Sequence, residues 1–344
     1  MRAWPRIAAV EVALPRHVYT QDQVVEELRR FGGSVFARFA STSGVDRRHL
    51  ALPLERYASL SGFTEANDAF IEVALDLGER AITQACARAG ISPGRIDLIA
   101  STTVTGLAVP SLEARLAGRL GLKPDVKRLP LFGLGCVAGA AGAARLHDYL
   151  LAFPDHIAVL LAVELCSLTV QRRDQAPANL VASSLFGDGA AAVVMTGGDP
   201  DGDGPQVVAT RSRLYPDTRD VMGWDIGTDG FRIVLSTEVA PIAERFLPDD
   251  VQGFLKDEGV EQVSAWICHP GGPKVIAAIE RGLGLPATAL DRTRDSLRYK
   301  GNLSSVSVLD VLGATMRDPP RAGEYGLMMA MGPGFCSELV LLRW

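Results

Sequence analysis

An α/β fold is what this 344-residue sequence predicts. Two observations carry the prediction: short apolar runs alternate with longer stretches of helical apolar period, and the second half restarts the pattern of the first. The segment 71–89 places apolar residues at helical spacing and stops at Gly90, a residue suited to a left-handed cap. Residues 96–103 read as a buried strand. Residues 111–120 read as a helix ended by Gly121. The run 137–151 is rich in small residues and reads as a helix that can be packed closely. Residues 157–163 and 190–195 are unbroken apolar runs, as in strands covered on both faces. The Gly/Asp/Pro-rich stretch 197–204 is the clearest linker, and it divides the chain into an N-terminal half, 1–200, and a C-terminal half, 205–344.

The second half begins with an apolar strand at 263–268. PKVIAAIERGLGL at 273–285 then repeats PSLEARLAGRLGL at 110–122. Pro110 precedes Cys136 by 26 residues and Pro273 precedes Asn302 by 29, so Gly135-Cys136-Val137 lines up with Gly301-Asn302-Leu303. FGDG at 186–189 parallels MGPG at 331–334. Duplication of one βα unit accounts for these matches; chance similarity of two strand–helix pairs is the alternative. Duplication puts Cys136 and Asn302 at equivalent places, each at the N-terminus of a central helix, with the two termini close together.

Composition removes several function classes. The net charge of −5 supplies no basic field, which argues against nucleic acid or an anionic membrane as partner. No apolar run approaches the ~18 residues of a spanning helix. The five cysteines form no CxxC pair, so neither a disulfide framework nor a metal site is indicated, and a reducing cytoplasm fits.

Three residues stand out for chemistry. Cys136, in GLGCVAGAAGAARL, sits where a glycine-rich turn enters a helix of small residues. The unpaired N–H groups and partial positive charge of a helix start favour a thiolate, the reactive form; a buried structural thiol is the other reading. His269, in WICHPGGPKV, follows an apolar strand and can hold a proton or donate to an oxyanion, or be a satisfied core histidine. Asn302, in YKGNLSSVSVL, offers an amide donor to a developing oxyanion, or a helix cap. Gly332-Pro333-Gly334 is a rigid turn that a ligand can approach, or a plain hairpin.

Together these residues resemble a known family. GCVAGA, ICHPGGP, YKGNLSSVSVL and MGPGF occur in the order found in type III polyketide synthases, the chalcone-synthase-like enzymes, and VELCSLTVQ and LFGDGAAAVV extend the match from about residue 96 to the end. SGVDRRHLALPLERY at 43–57 is similar, less specifically. The resemblance implies the thiolase fold, two duplicated α/β halves in five layers, a homodimer, no metal and no cofactor beyond coenzyme A thioester substrates. It implies a triad of Cys136, His269 and Asn302 acting on acyl-CoA and malonyl-CoA: acylation of Cys136, loss of CO2 from malonyl-CoA, attack of the enolate on the bound acyl group, then cyclisation. It places a gatekeeper phenylalanine at Phe186 and pocket-lining positions at Cys166 and Thr169. A second gatekeeper phenylalanine is expected near Ile233, where isoleucine stands instead. Arg47 and Arg48 are candidates for pairing coenzyme A phosphates.

The segment 223–240 looks more like bacterial alkylpyrone or alkylresorcinol synthases than like plant enzymes. With Ile233 and Cys166 small, the expectation is a fatty-acyl-CoA starter and a pyrone or resorcinol product, with malonyl-CoA alone as the alternative. A ketoacyl synthase that takes malonyl groups from a carrier protein shares the fold and triad, but HPGGP and MGPG favour the polyketide family. Cys, His, Asn is also the chain order of papain-like hydrolases, yet no protease motif surrounds Cys136. A non-catalytic binding protein leaves the three residues to coincidence.

Overall fold

The structure, a computed structural model, describes residues 4–198 and 202–344, with the side chains of 29–34 left aside. Residues 199–201 of the expected linker lie outside the described residues. Nine strands form one mixed sheet: β1 (Arg6–Ala13), β2 (Leu98–Thr103), β3 (Lys127–Phe132), β4 (Ile157–Leu165), β5 (Asp188–Thr196), β6 (Gln206–Leu214), β7 (Ala265–Cys268), β8 (Tyr325–Gly332) and β9 (Cys336–Arg343). Their order is β7-β8-β9-β6-β1-β5-β4-β2-β3.

The sheet is two wings joined at one place, where Arg6 of β1 pairs with Gln206 of β6. In the first wing β1 runs antiparallel to β5, β5 antiparallel to β4, and β4 parallel to β2. In the second wing β6 runs antiparallel to β9, β9 antiparallel to β8, and β8 parallel to β7. The directions repeat strand for strand, and β3 alone has no counterpart. The repeated sequences become α2 (Leu112–Leu120) and α5 (Pro273–Leu283), capped by Gly121 at φ 63° and Gly284 at φ 63°. Both caps need the left-handed backbone that glycine adopts without strain.

Alternation along the strands sorts the layers. Leu160, Ala162, Val193, Met328 and Val340 face one core, shared with α3 (Ala138–Ala152) and α6 (Ser305–Arg317). Val159, Leu161 and Val194 face a second core under α2 and the long helix α1 (Phe63–Arg88). Leu327, Leu339 and Leu341 face a third under α5 and α4 (Val239–Asp257). The result is helix, sheet, helix, sheet, helix, the five layers that the resemblance implied. Each fully buried Leu or Val contributes ~1.5–3 kcal/mol, so three such cores hold the layers firmly. The middle layer depends on small residues: a Cβ on Gly139 of α3 would sit 2.2 Å from the Ser305 carbonyl oxygen of α6.

Candidate active site

Cys136 and Asn302 stand where the duplication predicts, at the entrances to α3 and α6. Cys136 lies in a single 3-10 turn, Gly135–Val137, that runs into α3. Gly135 has φ 57°, and a Cβ there would lie 2.7 Å from the Pro333 ring. Gly332 packs on the same turn, against Leu134 and Val137. The Gly332–Gly334 loop therefore backs the Cys136 turn and is not among the residues that border the cavity described below.

Asn302 is held by its backbone. Its N–H donates to the Leu185 carbonyl (2.8 Å), and its own carbonyl accepts from Gly187 (3.0 Å), so Phe186 lies beside it across a bridge. Its side-chain oxygen accepts from the Ser304 N–H (2.8 Å), and its amide nitrogen reaches toward the Gly271 carbonyl at 3.5 Å. Gly271 in turn donates to the carbonyl of His269 (3.0 Å), which follows β7. Cys136, His269 and Asn302 are all buried.

Sequence reasoning gives Glu164, in VELCSLTVQ, no role. The structure gives it a place in the site. Cys136 Sγ contacts the Ser304 hydroxyl at 3.6 Å, and Ser304 also donates to Glu164 (3.4 Å). Ser305 (2.6 Å), Thr105 (3.1 Å) and the Val104 N–H (3.2 Å) complete the carboxylate's shell. Burial pushes Glu164 up to about 7 despite these donors.

The expected thiolate is corrected here. Burial pushes the Cys136 thiol up to about 12; the Ser304 hydroxyl opposes the rise and the Glu164 carboxylate adds to it. Desolvation outweighs the helix start. Burial also pushes His269 down to about 3, so its imidazole is neutral near pH 7, with Nδ1 unpartnered among the described residues. A neutral imidazole can accept the thiol proton, and its remaining N–H can donate to an oxyanion.

A cavity of about 400 Å³ is bordered by four expected residues, Cys166, Thr169, Phe186 and Ile233. It is also bordered by Trp224 and Phe231, which sequence reasoning missed. Phe231 alternates with Ile233 on the strand Gly230–Leu235 and shares its face. Its ring is buried, edge-on to Phe63 at 5.5 Å and tilted against Trp224 at 5.8 Å. The wall that Ile233 was expected to open thus carries aromatic rings from Phe231, two residues away, and from Trp224, its partner across the hairpin.

Arg47 and Arg48 do not act as a pair. Consecutive strand residues face opposite ways: the Arg47 guanidinium lies over the Tyr299 ring at 5.2 Å, whereas Arg48 is 3% exposed and turned into the protein. Among the described residues no group of three His, Cys, Asp or Glu could hold a metal.

Family models decide the assignment. The model of the chalcone and stilbene synthase N-terminal domain matches residues 4–200, and that of the C-terminal domain matches residues 206–344. The chain belongs to the chalcone and stilbene synthase family. It is similar to a 1,3,6,8-tetrahydroxynaphthalene synthase of Streptomyces peucetius subsp. caesius, 51% identical over 98% of this chain and 93% of that one. It is 31% identical to a phloroglucinol synthase of Pseudomonas fluorescens, over 97% of each chain. Among solved structures, the tetrahydroxynaphthalene synthase of Streptomyces coelicolor A3(2), a bacterial type III polyketide synthase, superposes with a TM-score of 0.94 at 29% identity, covering 98% of this chain and 99% of that one. The chain is a type III polyketide synthase, and its substrates are coenzyme A thioesters. No helix of the synthase, among the described residues, is long and apolar enough to cross a membrane.

Proposed function

We propose that the synthase builds a short aromatic polyketide from malonyl-CoA alone, using malonyl units as both starter and extender. The observation that carries this reading is the 51% identity to a synthase named for 1,3,6,8-tetrahydroxynaphthalene. That compound has a ten-carbon ring system, oxygen on alternate carbons of each ring and no alkyl chain, the pattern of a chain assembled from two-carbon units without a fatty starter. The aromatic wall of Trp224 and Phe231 supports it, because it shortens the cavity beside Ile233.

In this reading His269 takes the Cys136 proton, and the thiolate attacks the thioester carbonyl and displaces coenzyme A. A second malonyl-CoA loses CO2, and His269 and Asn302 donate to the enolate oxygen. The enolate carbon then attacks the acyl carbon on Cys136, the new C–C bond forming as the Cys136 C–S bond breaks, so the thiolate leaves and the extended chain stays on coenzyme A. The two halves divide the labour, the N-terminal one (1–200) carrying the nucleophile and the C-terminal one (205–344) the donors. Five unpaired thiols fit a reducing cytoplasm. The exposed apolar side chains of Val109 (94%), Leu214 (71%) and Phe132 support burial in a homodimer.

The second reading keeps a fatty-acyl starter and a pyrone or resorcinol product; Leu28, Leu54 and Leu60 at the cavity's border favour it. Purified protein incubated with radiolabelled malonyl-CoA, alone and with acyl-CoAs from acetyl to stearoyl, separates the two. Aromatic product from malonyl-CoA alone, lost in Cys136→Ala, is expected. Product formed only with a long acyl-CoA overturns the first reading and establishes the second. No product with any starter overturns both.

A further inference from the structure

Arg48 is the only buried lysine or arginine among the described residues. Its Nη1 donates to the carbonyls of Ser183 (2.6 Å) and Phe186 (2.9 Å), and its stem lies against Gly301, where a Cβ would meet it at 3.1 Å. Its Nε and Nη2 find no hydrogen-bond partner among the described residues. Asp188 acts on it through space but spends its own oxygens on Ala51 and Ser167. A guanidinium out of water without a paired anion is costly, and native proteins rarely leave one so. Arg48 also borders the cavity, as do Phe186 and Cys166, and Cys166 lies within electrostatic reach of Cys136.

A neutral acyl group would leave this cation as it stands. A malonyl group would not, since it keeps a free carboxylate after thioester exchange. We propose that Arg48 binds the terminal carboxylate of a malonyl group loaded on Cys136 and so selects malonyl-CoA as the starter. This rests on the reading above that malonyl-CoA primes the synthase. In the loading step the Cys136 S–C bond forms and the coenzyme A C–S bond breaks. The proton given up by Cys136 leaves with the coenzyme A thiolate, and the carboxylate is unchanged. Pairing with a guanidinium stabilises the carboxylate, and loss of CO2 would forfeit that pairing, so the loaded starter is held against early decarboxylation.

Loading is read by intact-protein mass spectrometry, with malonyl-CoA and acetyl-CoA offered separately to wild type, Arg48→Met and Arg48→Lys, each first checked by thermal unfolding. Wild type is expected to carry a malonyl adduct. Arg48→Met is expected to lose about tenfold or more in malonyl loading while acetyl loading stays within about twofold. Arg48→Lys, which keeps the charge, is expected to fall between; should Arg48→Met not fold, the malonyl-to-acetyl ratio of Arg48→Lys decides by the same criterion. Equal losses for both thioesters show a purely structural arginine and overturn the assignment. An unchanged malonyl-to-acetyl ratio overturns it as well. A wild type that makes nothing from malonyl-CoA alone but extends other acyl-CoAs overturns the priming reading and this assignment together.

Discussion

Ser304 places its hydroxyl 3.6 Å from the sulfur of Cys136, and it does so at φ 51°, a backbone conformation few serines adopt. Strain of that kind persists only where the surroundings enforce it. Here the Asn302 side chain accepts the Ser304 N–H and Glu164 accepts its hydroxyl, so one residue links Cys136, Asn302 and the buried carboxylate.

Thiol reactivity should follow that link in two opposite directions. The Ser304 hydroxyl lowers the Cys136 pKa, and the Glu164 charge raises it. Ser304→Ala should therefore move the pH profile of Cys136 alkylation by iodoacetamide upward, and Glu164→Gln should move it downward. The same sign in both variants would show that disturbed packing, not charge, sets the reactivity.

The Glu164 contribution to stability should fall as pH rises from about 4.5 to about 7, while His269, pushed down to about 3, contributes in the opposite sense below about 6.5. Burial holds the Glu164 carboxyl at about 7 in the folded protein against 4.5 as its ordinary value. The folded state therefore binds the proton more tightly in that window, and stability present below it is lost through it. Asp188, raised to about 6, acts in the same sense. In thermal unfolding across this range, wild type should lose stability relative to Glu164→Gln as pH rises, because His269 and Asp188 titrate in both proteins.

The middle layer should reject one methyl group. Gly139→Ala drives a Cβ into the Ser305 carbonyl at 2.2 Å, a backbone atom that cannot swing aside. A loss of about 1–3 kcal/mol is expected in denaturant unfolding. Condensation should fall further than the loss of folded protein explains, because Ser305 follows Ser304 and also holds Glu164.

Cavity length should respond to Phe231 more than to Ile233. Phe231→Ala removes a buried ring that packs on Phe63 and Trp224. Turnover of longer acyl-CoAs, or longer products from malonyl-CoA, should appear in that variant and be weaker in Ile233→Ala. Equal effects of the two changes would place the boundary elsewhere.

Much of this was legible in the chain because it is written twice. The LGL endings at 120–122 and 283–285 give the same capped helices, and the alignment of Cys136 with Asn302 follows from them. Fully apolar strands such as β4 and β5 were equally plain. The edge strand β3 was not read, because its exposed residues alternate with partly buried ones in a short KRLPLF. Glu164 gave no sign of its role, since its donors come from residues 103–105 and 304–305, far away in sequence. Phe231 was passed over because a two-residue offset in a hairpin changes nothing in the facing pattern. The upward push on the Cys136 thiol was hidden for a related reason: helix starts are visible in sequence, whereas burial from every side is not.

Pairing across the seam between the wings is confined to Arg6 and Gln206, yet the proposed chemistry needs residues from both sides of it. Neither side alone owns a complete reaction. A small rigid-body slip along that seam would pull the sulfur out of register with the amide while leaving each sheet intact. Activity in this reading therefore depends on two similar modules staying aligned, an alignment held by the core that α3 and α6 share with both wings.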